Sequence, residues 1–510
     1  MNVVTGEEMH QIDRYAIEEI GLKEELLMEN AGLAFVNCIL PLLEKKTDRV
    51  AVLIGVGNNG GDGFVISRSL LEKGYQVDVW LIPPLEKVKG TAKYHMEVFA
   101  KCGYQILNFE NFTYEHFLEK LTSCTYLIDA LLGTGIRGSL RSPYKEIIPA
   151  VNKLDRTVIS VDLPSGLPSS EVCEVEEAIK ATYTVTLQCP KLSAFTYPAR
   201  EYYGELSVVD IGIPRLAINE ISNERFLWTE KDVKRTLPVR KPSSHKGSHG
   251  KALIIAGSKT MTGAPVLTTK ACHRLGAGLV TLAIPDVAHE VVASQIIEAT
   301  FHLCSSKNGE INDTHLSDKQ LKDRYDAIAV GPGIGRNNTG SFLKTLLTDF
   351  QKPIIIDADG LYYLKRYIST LRTRGGATIL TPHSGEFAFL INESIKTVEE
   401  NRFSLSKQFA MQHGVYLLLK GPNTIVTTPT GNQFINPTGN SALAKGGSGD
   451  VLTGMVLALV MQQQDLQPAI SNAAFLHGKA ADILTSHGFS PLSVLASDLV
   501  EIMPQVLDRF

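Results

Sequence analysis

The segment GNSALAKGGSGDVLTGMVLAL, residues 439–459, carries the strongest chemical pattern in the chain. Gly446, Gly447, Ser448 and Gly449 leave backbone amides open where a long apolar helix should begin. Free amides and the helix dipole favour negative charge at such a turn. Asp450 lies inside the turn, where it could take a proton from a substrate hydroxyl while the amides steady a moving phosphoryl group. A plain helix cap is the structural alternative for Asp450, and the glycines around it weigh against that. A second glycine cluster, GVGNNGGDGF at 55–64, fits G-x-G-x-x-G through Gly55, Gly57 and Gly60, with Asp78 at the expected end of the next strand. Taken alone it suits either an NAD-dependent oxidoreductase or a tight turn that binds nothing. Its extra residues go further. Asn58, Asn59 and Asp62 add carbonyl and carboxylate oxygens, which suit a hard cation, beside amides that suit a phosphate. Two more loops, DALLGTGIRG at 129–138 and VDLPSG at 161–166, place Asp129, Asp162 and Ser165 at strand ends. Each alone could be turn chemistry; three in succession point to a site.

These loops need elements to hold them. Thr5 with Glu8 forms a capping box, and Met9, Ile12, Ala16, Ile17 and Ile20 recur at helical spacing behind it. A second helix is expected over 24–43. Short apolar runs at 49–55, 76–82, 125–133, 157–166 and 182–187 then alternate with helical stretches, the pattern of βαβ units around a parallel sheet. The same theme restarts at 251–257 and continues through 327–335, 352–360, 377–386 and 415–421. The expected fold class is α/β with two domains, residues 1–215 and 245–510, joined by a more charged linker at 216–244. In open sheets of this kind ligands bind at the carboxyl ends of the strands, where these loops fall.

Length and composition set the frame. A chain of 510 residues exceeds one ordinary core. A net charge of -4 gives no electrostatic footprint for nucleic acid or a membrane surface. Seven cysteines, an odd number without a CxxC, argue against zinc and a disulfide framework and for a reducing compartment. The start MNVVTGEEMHQID lacks a signal-peptide pattern, and the apolar stretch 451–461 is too short to span a bilayer. A soluble, cytoplasmic protein is expected, with the choice between monomer and homo-oligomer left open. No Walker A sequence and no protein-kinase signature set occurs.

GNNGGDG, DALLGTG and VDLPSG, in this order and with LMENAG at 27–32, resemble the NAD(P)H-hydrate epimerase family over residues 1–215. The resemblance implies a Rossmann-like α/β/α sandwich. It implies substrate contacts at Asn58, Asn59, Gly60, Gly61 and Asp62 and at Gly133, Thr134, Gly135, Ile136, Arg137, Gly138 and Ser139. It also implies a potassium ion at Asn59, Asp129 and Ser165, with Asp162 at the reacting ring as general base or acid. The GGSGD turn resembles the ribokinase-like superfamily, and TPHSGE at 381–386 resembles its TPNxxE element with His383 in place of asparagine. That replacement, GPGIG at 331–335, KGPNT at 420–424 and HKGSHGKALIIAGS at 245–258 are similar to the NAD(P)H-hydrate dehydratases, over residues 225–510. The resemblance implies that Ala264, Gly333, His383 and Asp450 meet the hydrated nucleotide. Lys420, Gly421, Pro422, Asn423 and Thr424, with the Gly446–Gly449 turn, would hold an adenine nucleotide, expected as ADP with Mg2+. Whether Asp357, Asp359 and Glu386 bind metal stays open at this point. The expected activity is repair of hydrated NADH and NADPH by epimerisation followed by dehydration. The rival readings are a vitamin or sugar kinase fused to a nucleotide-binding domain, an oxidoreductase, and a silent sensor.

Overall fold

A computed structural model describes residues 1–135, 138–171, 174–222, 224–312, 324–338 and 340–510. It divides into two compact units, Met1–Arg225 and Phe226–Phe510.

The first unit is built on seven strands: β1 (Arg49–Ile54), β2 (Gln76–Leu81), β3 (Leu107–Asn108), β4 (Tyr126–Ala130), β5 (Thr157–Val161), β6 (Tyr183–Leu187) and β7 (Glu205–Val209). They lie in the order β3-β2-β1-β4-β5-β6-β7 and pair in parallel throughout. Helices cover both faces, so the central strands are buried on both sides, as their nearly continuous apolar runs require. The chain order reverses between β1 and β4. A crevice opens outside the carboxyl ends of strands at such a switch point, and the loops that follow β1 and β4 are the two glycine-rich segments. The helix Glu24–Ile39 packs against the helix Asn58–Glu72. By length and composition alone the stretch Glu24–Leu42 could also cross a bilayer; here Leu27, Ala31, Phe35 and Val36 are core residues.

The second unit has a ten-stranded sheet. Its strands are β8 (Arg225–Leu227), which starts at the junction, β9 (Lys251–Ile255), β10 (Leu279–Pro285), β11 (Thr300–Cys304), β14 (Ala327–Val330), β15 (Ile354–Ile356), β16 (Thr378–Leu380), β17 (Tyr416–Leu419), β18 (Ile425–Thr427) and β19 (Gln433–Ile435). A separate hairpin joins β12 (Ser306–Lys307) to β13 (Glu310–Ile311). The order β11-β10-β9-β14-β15-β16-β17-β18-β19-β8 is parallel from β11 to β17 and antiparallel from β17 to β19. Again the order reverses beside the first strand, between β9 and β14, and the loop 331–335 leaves β14 at that point. The helix Ser448–Gln462 is apolar on all sides because it runs between the helices Gly263–Arg274 and Leu466–Ser486.

The expected linker at 216–244 is not one. The helix Arg215–Ile221 packs on the first helix of the first unit. Trp228 and Val233 are core residues of the second unit. Local charge in this stretch misled because a few of its apolar residues, Ala217, Ile218, Trp228 and Val233, are buried in the two cores. The expectation for Asp78 also fails. It lies on β2 opposite Ala51, toward the amino end, and pairs with Arg49 at 2.7 Å. An acidic residue there cannot reach the glycine loop, so the oxidoreductase fingerprint is broken.

Candidate functional site

In the first unit the helix Asn58–Glu72 starts inside the glycine cluster, with Gly57 in extended conformation before it. A Cβ at Gly60 would stand 2.1 Å from the Gly55 carbonyl oxygen, so the first turn lies directly on β1's end. That packing turns Asn58, Asn59 and Asp62 toward a cavity of about 550 Å³ that Gly133, Thr134, Gly135, Ser139 and Asp162 also line. Gly60 and Gly61 do not reach it: they are buried against Gly55 and against the Met28 sulfur. Gly138 is not on the wall either. Ile136 and Arg137 lie outside the described residues.

Asp162 follows β5 with φ of 69°. Its Oδ1 accepts from the Leu187 amide at 3.0 Å, from the Thr186 hydroxyl at 3.1 Å, and from the ammonium of Lys191. Lys191 is only 1% exposed and also donates to the Leu187 and Cys189 carbonyls. Asp13, on the first helix, joins the same cavity. Burial raises the Asp13 carboxyl to about 6, with Lys191 opposing and the charges of Asp162 and Glu24 assisting. Burial, then Asp162 and Asp13, hold Asp62 well above the usual carboxylate range. Sequence reasoning missed Asp13 and Lys191. The signal for Asp13 was a carboxylate within the apolar stripe Met9–Ile17; Lys191 gave none.

Beneath this cavity Asp129 is almost fully buried. It accepts from the Ser160 hydroxyl at 2.8 Å, from the Ser165 amide at 2.9 Å and from the Ser165 hydroxyl at 2.5 Å. Burial still raises its carboxyl, against those bonds. Asn59 donates its amide to the Leu132 carbonyl at 3.0 Å, and its buried Oδ1 has no hydrogen-bond partner among the described residues. The Leu132 carbonyl also accepts from the Ser165 hydroxyl, which links Asn59 to the Asp129 group, and an orphaned buried carbonyl oxygen in such a set fits a monovalent cation.

In the second unit Gly447, with φ of 91°, starts the helix Ser448–Gln462, which puts Asp450 in the first turn. Burial, then the charge of Asp357, raises its carboxyl to about 7 while Lys420 pulls it down. Lys420 donates to Asp357 at 2.9 Å and stands 3.7 Å from Glu386. Burial works against its charge, and Asp357 and Glu386 more than compensate, so its ammonium is held above its usual value. Thr453 secures the other Asp357 oxygen at 2.6 Å. Lys420 and Gly449 adjoin, since a Cβ on Gly449 would lie 3.3 Å from the Lys420 ammonium. The turn and the 420–424 segment, a hairpin between β17 and β18, thus meet. Arg402, missed in the sequence, is 4% exposed and braces that hairpin through the carbonyls of Leu419, Lys420 and Asn423 at 3.3–3.4 Å.

His383 caps the helix Ser384–Ile391: its Nδ1 accepts from the amides of Gly385 and Glu386 at 3.0 and 3.3 Å, and Glu386 answers on the His383 amide at 2.9 Å. The ring edge stays open, with a side chain 60% exposed. Gly333, with φ of 64°, faces Ala264, whose Cβ lies 3.1 Å from where a Gly333 Cβ would stand. Asp359 holds that loop through the Gly335 amide at 3.1 Å and Arg336 at 2.6 Å. Each of its two carboxylate oxygens thus accepts from that loop.

Two doubly wound sheets, one with a cavity lined by Asp13, Asp62 and Asp162 and one with a glycine turn that carries the half-buried Asp450, define a fusion of a Rossmann-like domain with a ribokinase-like one. The comparisons with known proteins agree. Residues 252–505 match the family model described as NAD(P)H-hydrate dehydratase, and residues 24–193 match that of YjeF-related protein N-termini. The bifunctional NAD(P)H-hydrate repair enzyme of Moorella thermoacetica is 36% identical over 520 aligned residues, which cover 99% of this chain and 97% of that one. The enzyme of the same description from Thermofilum pendens is 35% identical, over 95% and 92% of the two chains. The chain belongs to the family of bifunctional NAD(P)H-hydrate repair enzymes. A crystal structure of the ADP/ATP-dependent NAD(P)H-hydrate dehydratase of Bacillus subtilis, co-crystallised with ATP and Mg2+, is 35% identical; it covers 56% of this chain and 99% of its own, with a TM-score of 0.50.

Proposed function

We propose that this chain repairs hydrated NADH and NADPH in the cytoplasm, the first unit interconverting the two epimers and the second dehydrating the S form at the expense of ADP, giving AMP and phosphate. The observation that carries it is one chain, alignable end to end with bifunctional repair enzymes, with Asp450 in a glycine turn of one unit and Asp13, Asp62 and Asp162 around a cavity of the other. The hydrate bears a hydroxyl on its reduced ring, and hydroxide leaves poorly. Asp450 takes the hydroxyl proton as that oxygen attacks the terminal phosphoryl group of the nucleotide. The Gly446–Gly449 amides and Lys420 receive the developing charge. The ring nitrogen's lone pair then expels phosphate to form a C=N bond, and loss of a proton from the neighbouring ring carbon gives the C=C double bond as the C=N pair returns to nitrogen. Magnesium, which the Bacillus subtilis relative was crystallised with, would be met by the Glu386 carboxylate, whose Oε1 stands 3.6 Å from the His383 ring, and would neutralise phosphate charge. Potassium fits Asn59, Asp129 and Ser165, where it would lend positive charge to the floor of the first cavity.

The deciding measurement is absorbance of the reduced nicotinamide. Purified protein is mixed with both epimers of NADH hydrate, Mg2+ and K+, and ADP or ATP is added separately. Full recovery with ADP is expected. Recovery that stops near half leaves only the dehydratase standing. Omission of K+ should slow the second half of the recovery alone. A stable phosphorylated product instead of phosphate would favour the small-metabolite kinase.

A further inference from the structure

The first cavity contains more acid–base groups than a single base requires. Asp162 Oδ1 takes three donors, whereas Oδ2 takes none among the described residues. Asp13 stands one turn from both Met9 and Ile17, so these three present one stripe to the cavity. Among the described residues no donor bonds its carboxyl. An unpaired carboxyl on the apolar stripe of a helix costs stability that an apolar side chain would restore, so packing gives no reason for it. Asp62 is the other carboxyl on the wall, held well above the usual carboxylate range by burial, then by the charges of Asp162 and Asp13.

Resting on the epimerase reading, we infer that Asp13 is the second proton-transfer group of this site, paired with Asp162 on the same reacting carbon. In one direction the Asp13 carboxyl gives its proton to the ring hydroxyl, the C–O bond breaks, and water leaves with the bonding pair. The ring nitrogen's lone pair forms a C=N bond, and the cationic ring rests beside the Asp162 carboxylate. Water adds to the other face; its pair forms the new C–O bond, the C=N pair returns to nitrogen, and its proton passes to Asp162 Oδ2. In the reverse direction the two residues exchange roles. Both directions need one proton shared by the pair, and a group near neutrality serves best as donor and acceptor. Asp13 sits there at about 6. The other ionisable groups around it are Asp62, Asp162, Lys191 and Glu24, with His10, Arg141 and Tyr144 on the cavity wall.

The test follows conversion of a single purified epimer by chromatography, using the full chain without ADP or ATP so that the second unit is silent. Wild-type kcat/KM should fall as pH rises above about 6, where the shared proton is lost. Asp13→Asn should lower kcat by roughly 100-fold, with KM within about threefold of wild type, and Asp13→Glu should restore part of the rate. An Asp13→Asn protein within about threefold of wild type overturns the inference. So does a flat wild-type pH profile, which does not depend on any variant folding. A wild-type chain that fails to interconvert the epimers at all would bring down the epimerase reading itself, a result distinct from either.

Discussion

At the scale of single residues, the second site turns on one carboxyl and one ammonium. As the proposed base, Asp450 must be ionised to take the hydroxyl proton, and burial with Asp357 nearby raises its carboxyl to about 7. Dehydration kcat/KM should therefore rise with pH through about 7 and be lost below it. Lys420 is the group that pulls Asp450 down, so Lys420→Met should move that limb to higher pH as well as weaken nucleotide use. Asp450→Asn should cost at least about 100-fold in dehydration and leave epimerisation untouched. A limb that stays near 7 in Lys420→Met would separate the two groups. Asp450 and Asp162 were legible in the sequence because each sits in a loop of turn residues after an apolar run. Their partners were not. Lys191 is 29 residues from Asp162 and Asp357 is 63 from Lys420, and nothing in a local pattern announces a buried ion pair closed by the fold.

At the scale of elements, the glycine cluster after β1 works as a packing device first and a binding loop second. Gly60 allows the helix Asn58–Glu72 to rest on the Gly55 carbonyl, and that contact aims Asn59 and Asp62. Gly60→Ala should destabilise the first unit by about 2 kcal/mol or more and depress epimerisation, with dehydration unchanged. Gly57→Ala is the contrast: its φ is -89° and a Cβ there meets nothing within 4 Å, so thermal melting should barely shift. Equal effects from the two would remove the packing argument. The G-x-G-x-x-G spacing was therefore read correctly as a strand-to-helix turn. The cofactor it suggested failed at Asp78, which lies near the amino end of β2, whereas ligands bind at the carboxyl ends of strands. Parallel order and the two switch points could be anticipated as a class from strand–helix alternation. The neighbour of each strand could not.

At the scale of the molecule, the boundary between the units decides what each half can do alone. The Bacillus subtilis dehydratase matches 56% of this chain with 99% of its own, so a kinase-fold half without an epimerase partner is a viable protein. A fragment of residues 226–510 should fold and dehydrate the S hydrate, leaving the R hydrate behind. A fragment of residues 245–510, cut where charge alone would place the boundary, loses Trp228 and Val233 from the core. It also leaves the buried Asn472 without the Trp228 indole, its donor at 3.0 Å, and strips the sheet of β8. Loss of one buried tryptophan costs about 3–5 kcal/mol, a large share of the stability of an ordinary domain. The shorter fragment should therefore melt well below the longer one and recover activity poorly, although no residue of its site is missing. Matching melting curves for the two would mean that residues 226–244 contribute nothing to the second core, and the boundary would return to 245.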